Sequence, residues 1–413
     1  MLVAGEHRQE LVAYFGATEY RDLARLARNA ARLEVKDSLP HVIVVPGILG
    51  SQLGFARHHP LPNDVLWLDP IDIQVGRLRL LGLDAGAPII PLGVVLYSYL
   101  KLRLRLRAAG FGVTLHDYDW RLGIEESGAA LADRLRALGA RRVAIVSHSM
   151  GGLVSRAALA LPGTRHIERV LMLGTPNLGS FAPVQALRGT YAAVRKIVRL
   201  DAASTAERLT EEVFNSFPSL YQMVPASRGD GAPDLLDARE WPGSGPAVRA
   251  PLFERACRFH TGLPAADERF IAIVGVGQET VTAASRTRDE LVYTITRHGD
   301  GTVPAGSAAL DGAHTYFTTA AHSDLTRDAR VAAAVVDLLC GKPTRRLPSR
   351  WTSDSHAQAR VSDHELRGRH AGKIDWARLT PAERRDFLQN LNEPLKLRLR
   401  LPAAGRRRAA HRR

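Results

Sequence analysis

A serine, an aspartate and a histidine occur in this chain in settings that suit nucleophilic ester chemistry. Ser149 lies in VAIVSHSMGG (143–152), where a short apolar run meets a serine and then two glycines. A serine hydroxyl is a weak nucleophile until an adjacent base takes its proton. A strand that turns sharply into a helix can present such a serine at the tip of the turn, with the helix N-terminus facing the reaction. The turn brings strand and helix together, so the positions two before and two after the nucleophile must be small. Gly151 meets this fully, and Ser147 is small enough. Asp300 sits in RHGDGTVP, a glycine-flanked turn suited to aiming a carboxylate. A turn aspartate that only supports its own backbone is the plainer alternative. His322 ends the run AHTYFTTAAH and precedes a helical stretch. His314, at the start of that run, is its rival, and His298 is a bystander. A tetrahedral intermediate also needs donors aimed at its oxyanion, each contributing roughly 2.7–4 kcal/mol. The backbone N–H groups of Met150, next after the serine, and of Ile48, straight after Pro46-Gly47, are the candidates. A glycine turn that merely ends a strand is the other reading of PGILG. No metal or organic cofactor is needed for this chemistry.

The elements that must hold these residues alternate between short apolar runs and helical stretches. That alternation predicts a mainly parallel sheet with helices on both faces. HVIVVPG (41–47), GVTLHDYDW (112–120), RRVAIVSHSM (141–150), IERVLMLGTP (167–176), FIAIVGVG (270–277), ELVYTITRHGD (290–300) and AHTYFTTAAH (313–322) read as its strands. Helices are expected at 7–35, from Tyr97 to Ala109, at 128–139, directly after Ser149, and at 328–341, where Gly341 stops the last one. Residues 181–268 break the alternation with helical stretches and a Pro/Gly-rich loop, and a connection this long reads as a cap over the site. The stretch 52–96 is a second, lid-like insertion; an ordinary surface insertion is its bland reading. The catalytic domain thus spans 36–341, after an N-terminal helix within 1–35.

The formal net charge of +14 invites a nucleic-acid reading, but its location argues otherwise. Residues 341–413 hold 19 basic and 7 acidic side chains, so +12 of the +14 lies there and the catalytic body is nearly neutral. The segment 342–413 reads as a basic C-terminal extension, partly disordered, with 342–373 polar enough to be a linker. A short helix is expected after Thr380-Pro381-Ala382-Glu383, a capping-box start. LKLRLRLPAAG (395–405) repeats LKLRLRLRAAG (100–110) at all but one position, and shared Leu-Arg low complexity explains it most simply. Peripheral attraction to an anionic membrane is the functional reading of the extension, a solvated tail the other, and nucleic acid is the less fitting partner. Two cysteines, Cys257 and Cys340, cannot make a disulfide framework and point to a reducing compartment. With neither a leader-like N-terminus nor an apolar run of about 18 residues, the expected location is cytoplasmic, with possible membrane association.

Six segments taken together, VVPGILGSQL, DYDWRLG, SHSMGG, GTPNLGS, SFPSLYQMVP and HGDGTVP, resemble the lecithin:cholesterol acyltransferase-like family. The resemblance implies an α/β-hydrolase fold with a lid and a helical cap. It implies transfer of fatty acyl groups from glycerolipids to water, a sterol or another alcohol, and it makes Ser149 the nucleophile, Asp300 the acid and His322 the base. Ile48 falls at the family's oxyanion position, and Trp120 and Arg121 at a supporting Asp-Trp-Arg segment. The secreted members close their lid with a disulfide, for which this sequence has no cysteine, so their substrates and setting do not carry over. The expected activity is therefore serine-dependent acyl transfer or phospholipase-type hydrolysis of glycerolipid esters. A plain carboxylesterase or lipase shares every residue named, and an inactive fold that binds lipid or a partner is the non-enzymatic alternative.

Overall fold

The computed structural model describes residues 1–58, 61–139, 142–226, 232–352, 357–369, 372–391 and 393. Its strands are β1 (His41–Val45), β2 (Ser51–Phe55), β3 (Asp64–Trp67), β4 (Ile90–Val94), β5 (Val113–Leu115) and β6 (Val143–His148). They continue with β7 (Ile167–Leu173), β8 (Phe270–Gly275), β9 (Thr280–Arg286), β10 (Leu291–Thr296), β11 (His314–Thr318) and β12 (Ala359–Ser362). Six of these form one sheet in the order β11-β8-β7-β6-β1-β5, with every neighbouring pair parallel.

Successive residues of the central strands enter two different cores. Ile43, Val45, Val143 and Ile145 point to one face, where Leu131 and Leu135 of the helix Ile124–Ala137 and Leu153 and Val154 of the helix Met150–Leu159 cover them. Val42, Val44, Ala144 and Val146 point to the other, against Leu102 and Leu106 of the helix Leu96–Ala108 and Val331 and Val335 of the helix Ala329–Leu339. Burial on both faces is why these strands are apolar at every position rather than at alternate ones. Each of these Val, Leu and Ile side chains contributes roughly 1.5–3 kcal/mol by leaving water. The parallel sheet covered on both faces is what the alternating pattern predicts, and the chain has the α/β-hydrolase fold that the resemblance implies. Gly341, at φ 76, follows the end of the helix Ala329–Leu339.

Three elements depart from expectation. The N-terminal helical stretch is two helices, Arg8–Phe15 and Ala17–Ala31, parted at Gly16 with φ 87 and ψ 153, a backbone that glycine alone adopts readily. β10 does not extend the parallel sheet. It lies between β9 and β12 in a separate antiparallel sheet, and its alternating burial is that of a strand with one covered face. The polar stretch 342–373 is not simply a linker, since residues 359–362 supply β12 and Asp363–Gly368 form a helix capped reciprocally by Ser362 and Glu365.

What anchors β12 and its helix is a buried charge rather than apolar periodicity, which is why hydrophobic patterning passes over it. Asp363, fully buried, accepts from Arg188 Nε at 2.9 Å, Tyr293 Oη at 2.9 Å and the Leu291 amide at 3.2 Å. Removing one partner of a buried pair leaves the other charge uncompensated, at about 3–5 kcal/mol. Asp363→Ala is therefore expected to destabilise the protein by that amount in urea titration. A loss under 1 kcal/mol would show that Arg188 finds water or another acceptor.

The lid-like insertion is a small antiparallel sheet, β3-β2-β4, with a short helix, Pro70–Gln74, between its strands. The insertion read as a cap contains the helices Phe181–Leu187, Ala192–Leu200, Ala206–Glu212 and Ala250–Gly262. The expected capping box is present, with Pro381 at the first position of the helix Pro381–Gln389 and the Thr380 hydroxyl accepting from the Glu383 amide. The second copy of the Leu-Arg repeat, 395–405, lies outside the described residues. Residues 100–108 of the first copy lie in the helix Leu96–Ala108, as its length predicts. Among the described residues no helix is long and apolar enough to cross a membrane.

Candidate active site

β6 ends at His148 and a helix begins at Met150, so Ser149 alone makes the turn. Its backbone stands at φ 54, ψ −128, which costs a residue with a Cβ about 1–3 kcal/mol. Its N–H donates to the Leu173 carbonyl at 2.9 Å, tying the turn to β7. The close approach expected around the serine is present. A methyl group on Gly151 would lie 2.4 Å from the Pro46 carbonyl oxygen, and one on Gly152 would lie 1.9 Å from the Thr175 hydroxyl. Ser147 is wholly buried and donates its hydroxyl to the Leu171 carbonyl at 3.2 Å.

Ser149, His322 and Asp300 come from three loops beyond the C-terminal ends of the strands and meet in one chain of contacts. The Ser149 hydroxyl lies 2.9 Å from His322 Nε2, and His322 Nδ1 lies 2.7 Å from Asp300 Oδ2. The other carboxylate oxygen of Asp300 accepts from the amides of Thr302 at 2.9 Å and Val303 at 2.7 Å. Held as an acceptor, the carboxylate requires the proton on Nδ1 of His322, which leaves Nε2 free to accept from Ser149. Asp300 is 1% exposed, so solvent does not compete for this contact. His314 stands at the opposite end of β11 and is exposed, and His298 packs on Trp351.

Ile48 and Met150 lie on either side of Ser149. Gly47 packs directly on Ser149, since a methyl group on it would lie 2.8 Å from the Ser149 Cβ. The Gly47 amide is already committed, donating to Tyr99 Oη at 2.9 Å. Leu49, at φ 63, bends the chain after Ile48. Among the described residues the amides of Ile48 and Met150 have no acceptor, which leaves them available to an oxyanion. Trp120 and Arg121 brace this turn from behind. Trp120 Nε1 donates to the Ser51 carbonyl at 3.0 Å, and Arg121 grips Asp119 while donating to the Leu81 carbonyl at 2.9 Å.

A cavity of about 660 Å³ opens over Ser149 and His322, within the size range of small-molecule sites. Val194, Ile197, Phe214, Phe217 and Leu220 give it an apolar wall. Tyr14 from the N-terminal helix and Leu388 from the helix Pro381–Gln389 line it from outside the catalytic core. The C-terminal element is fastened beside the site. Lys196 Nζ donates to the carbonyls of Asn390 at 2.6 Å and Glu393 at 2.9 Å, and Ser323, next to His322, donates to the Glu393 carboxylate. Sequence reasoning missed this contribution because the segment has no apolar run, only the capping box that starts its helix.

Residues 109–244 match the family described as lecithin:cholesterol acyltransferase. The chain is similar to that family. The match covers β5, the serine turn and much of the helical insertion, whereas Ile48, Asp300 and His322 lie outside it. It marks the chain as an ester hydrolase or acyltransferase in kind. Among solved structures, the mature lipase BlEst2 of Bacillus licheniformis is 14% identical, over 74% of this chain and 94% of that one, at a TM-score of 0.39. The Tle4–Tli4 complex is 15% identical over 73% and 98%, at 0.43. EstA from Clostridium botulinum is 13% identical over 78% and 96%, at 0.35. No curated protein matches the sequence.

Three histidines around this framework are held neutral. Burial pushes His148 down to about 3, and burial with Arg134 nearby pushes His116 down to about 4. Burial with Arg156 nearby also takes His260 to about 4. Unfolded, each regains a value near 6.5. Between these values the unfolded chain binds more protons, so stability is fully present above pH ~6.5 and falls as pH drops toward 4. The slope is up to about 1.4 kcal/mol per pH unit for each group. Thermal unfolding at pH 5 is expected about 5–10 °C below that at pH 7.5; equal midpoints would contradict the assignment.

Proposed function

We propose that this protein transfers fatty acyl groups from glycerolipid esters through an acyl-enzyme on Ser149. The observation that carries the reading is the contact chain from Ser149 through His322 to Asp300 at the floor of an apolar cavity. Ser149 Oγ attacks the ester carbonyl carbon while its proton passes to His322 Nε2. The tetrahedral oxyanion is received by the amides of Ile48 and Met150, at the N-terminus of the helix that follows. As the C–O bond breaks, His322 returns that proton to the departing alcohol or lysolipid, leaving an ester on Ser149. Water or an acceptor alcohol then attacks, gives its proton to His322, and restores the serine. Asp300 keeps the imidazole in the required tautomer and stabilises its charged form.

The apolar wall suits a long acyl chain and a long-chain alcohol as acceptor. The test is product analysis with phosphatidylcholine vesicles and an added long-chain alcohol, with the Ser149→Ala protein as control. A wax ester that disappears in the variant supports transfer. Free fatty acid alone would reduce the activity to that of an esterase or lipase, and turnover unaffected by the substitution would remove the enzymatic reading.

The second part of the proposal is peripheral attachment of the protein to anionic membrane. Its support is the charge distribution, +12 within residues 341–413, at up to about 1 kcal/mol per basic side chain near an anionic surface. Sedimentation with phosphatidylserine vesicles should fall steeply between 50 and roughly 300 mM salt, about as the screening length shortens. Binding that ignores salt would contradict it.

A further inference from the structure

Tyr99 and His148 form a buried hydrogen-bond chain that joins the two halves of the site. The Gly47 amide donates to Tyr99 Oη at 2.9 Å. Tyr99 Oη lies 3.0 Å from His148 Nδ1, and His148 Nε2 lies 3.0 Å from the His322 carbonyl oxygen. The direction of each proton follows from the ends. A carbonyl can only accept, so Nε2 of His148 carries the hydrogen. Nδ1 of the neutral ring must then accept, and Tyr99 must donate to it. The tyrosine oxygen, having given its hydrogen forward, accepts from Gly47 behind. Every donor and acceptor along the line is used once.

The line connects the turn that presents Ile48 to the peptide that carries the general base. His322 is gripped from both sides, because its own N–H donates to the Asp300 carbonyl at 2.9 Å. The two imidazoles also pack together, with ring centroids 4.9 Å apart. Tyr99 is 3% exposed, and its hydroxyl is already engaged by the Gly47 amide and His148. A shift of either end would be felt at the other, and effective acyl transfer depends on reacting groups held within fractions of an ångström.

We propose that Tyr99 and His148, at the edge of the cavity, are positioning residues, setting the register between the oxyanion-binding turn and His322. The idea rests on the serine mechanism proposed above. The test uses the full chain with Tyr99→Phe, His148→Leu, His148→Gln and the double variant Tyr99→Phe/His148→Leu. Two rates are measured: hydrolysis of p-nitrophenyl butyrate per titrated site, and labelling of Ser149 by a fluorophosphonate.

Tyr99→Phe is expected to lower kcat and the labelling rate about 10- to 100-fold, with KM within two-fold of the parent. His148→Leu should match or exceed that loss, and the double variant should be no worse than His148→Leu. Glutamine at 148 can still donate toward the His322 carbonyl, so it should recover at least five-fold over leucine. A purely structural role would lower the melting temperature and leave kcat per titrated site unchanged. Tyr99→Phe keeps the ring and so guards against misfolding of the His148 variants. Rates within two-fold of the parent in Tyr99→Phe and His148→Leu would overturn the proposal while leaving the serine mechanism standing. Losses that multiply in the double variant would also overturn it. Absence of Ser149 labelling in the parent would overturn both.

Discussion

Ser149→Ala lowers ester turnover by about 10⁵- to 10⁶-fold, the scale seen when the nucleophile of a serine hydrolase is removed. The loss is large because the residues act as one unit. Without the hydroxyl, His322 Nε2 has no proton to take, and the oxyanion donors have no covalent intermediate to stabilise. The substitution costs the fold little, since the Ser149 hydroxyl hydrogen-bonds only to the base. The alanine protein should therefore unfold at the parent temperature and bind substrate normally. A variant that kept more than one per cent of the parent kcat would show that another group does the chemistry.

Asp300→Asn lowers kcat by about 10⁴-fold, the loss this exchange produces when it inverts the imidazole tautomer. The surroundings of Asp300 dictate that inversion. Two amides, those of Thr302 and Val303, point at one side-chain oxygen. In asparagine that position must keep the oxygen, because an NH₂ group there would face two donors. The NH₂ then faces His322 Nδ1, which must become an acceptor, and the ring hydrogen moves to Nε2. Nε2–H meets the Ser149 hydroxyl and cannot take its proton. Measured kcat should fall without a matching rise in KM. An Asp300→Asn protein within ten-fold of the parent would place the orienting acid elsewhere.

The residues of the proposed triad were legible because each is fixed by local constraints that leave a mark in sequence. A strand running into Ser-His-Ser-Met-Gly-Gly needs small residues after the serine, and close packing of Gly151 against Pro46 and of Gly152 against Thr175 explains why. Gly299 and Gly301 frame Asp300 in a turn tight enough to bring the Thr302 and Val303 amides onto its carboxylate. The central strands announced themselves by continuous apolarity. The features that sequence reasoning missed depend on long-range polar contacts. Tyr99 looks like one more aromatic on a helix until the fold carries its hydroxyl to Gly47 and His148, 52 and 49 residues away. β12 has only Val361 as a buried apolar residue, and Asp363 reaches Arg188 across 175 residues. Nothing in a local pattern encodes such a pairing. The split of the first helix at Gly16 was visible as a glycine, but the helical spacing on either side of it hid the break.

The account rests on Ser149 becoming acylated. Rapid acid quench of the protein during turnover of p-nitrophenyl butyrate, followed by peptide mass spectrometry, tests this directly. The predicted result is a butyryl adduct on the peptide containing Ser149, with none in the alanine variant. Turnover with no adduct there, or with the adduct on another residue, would contradict it.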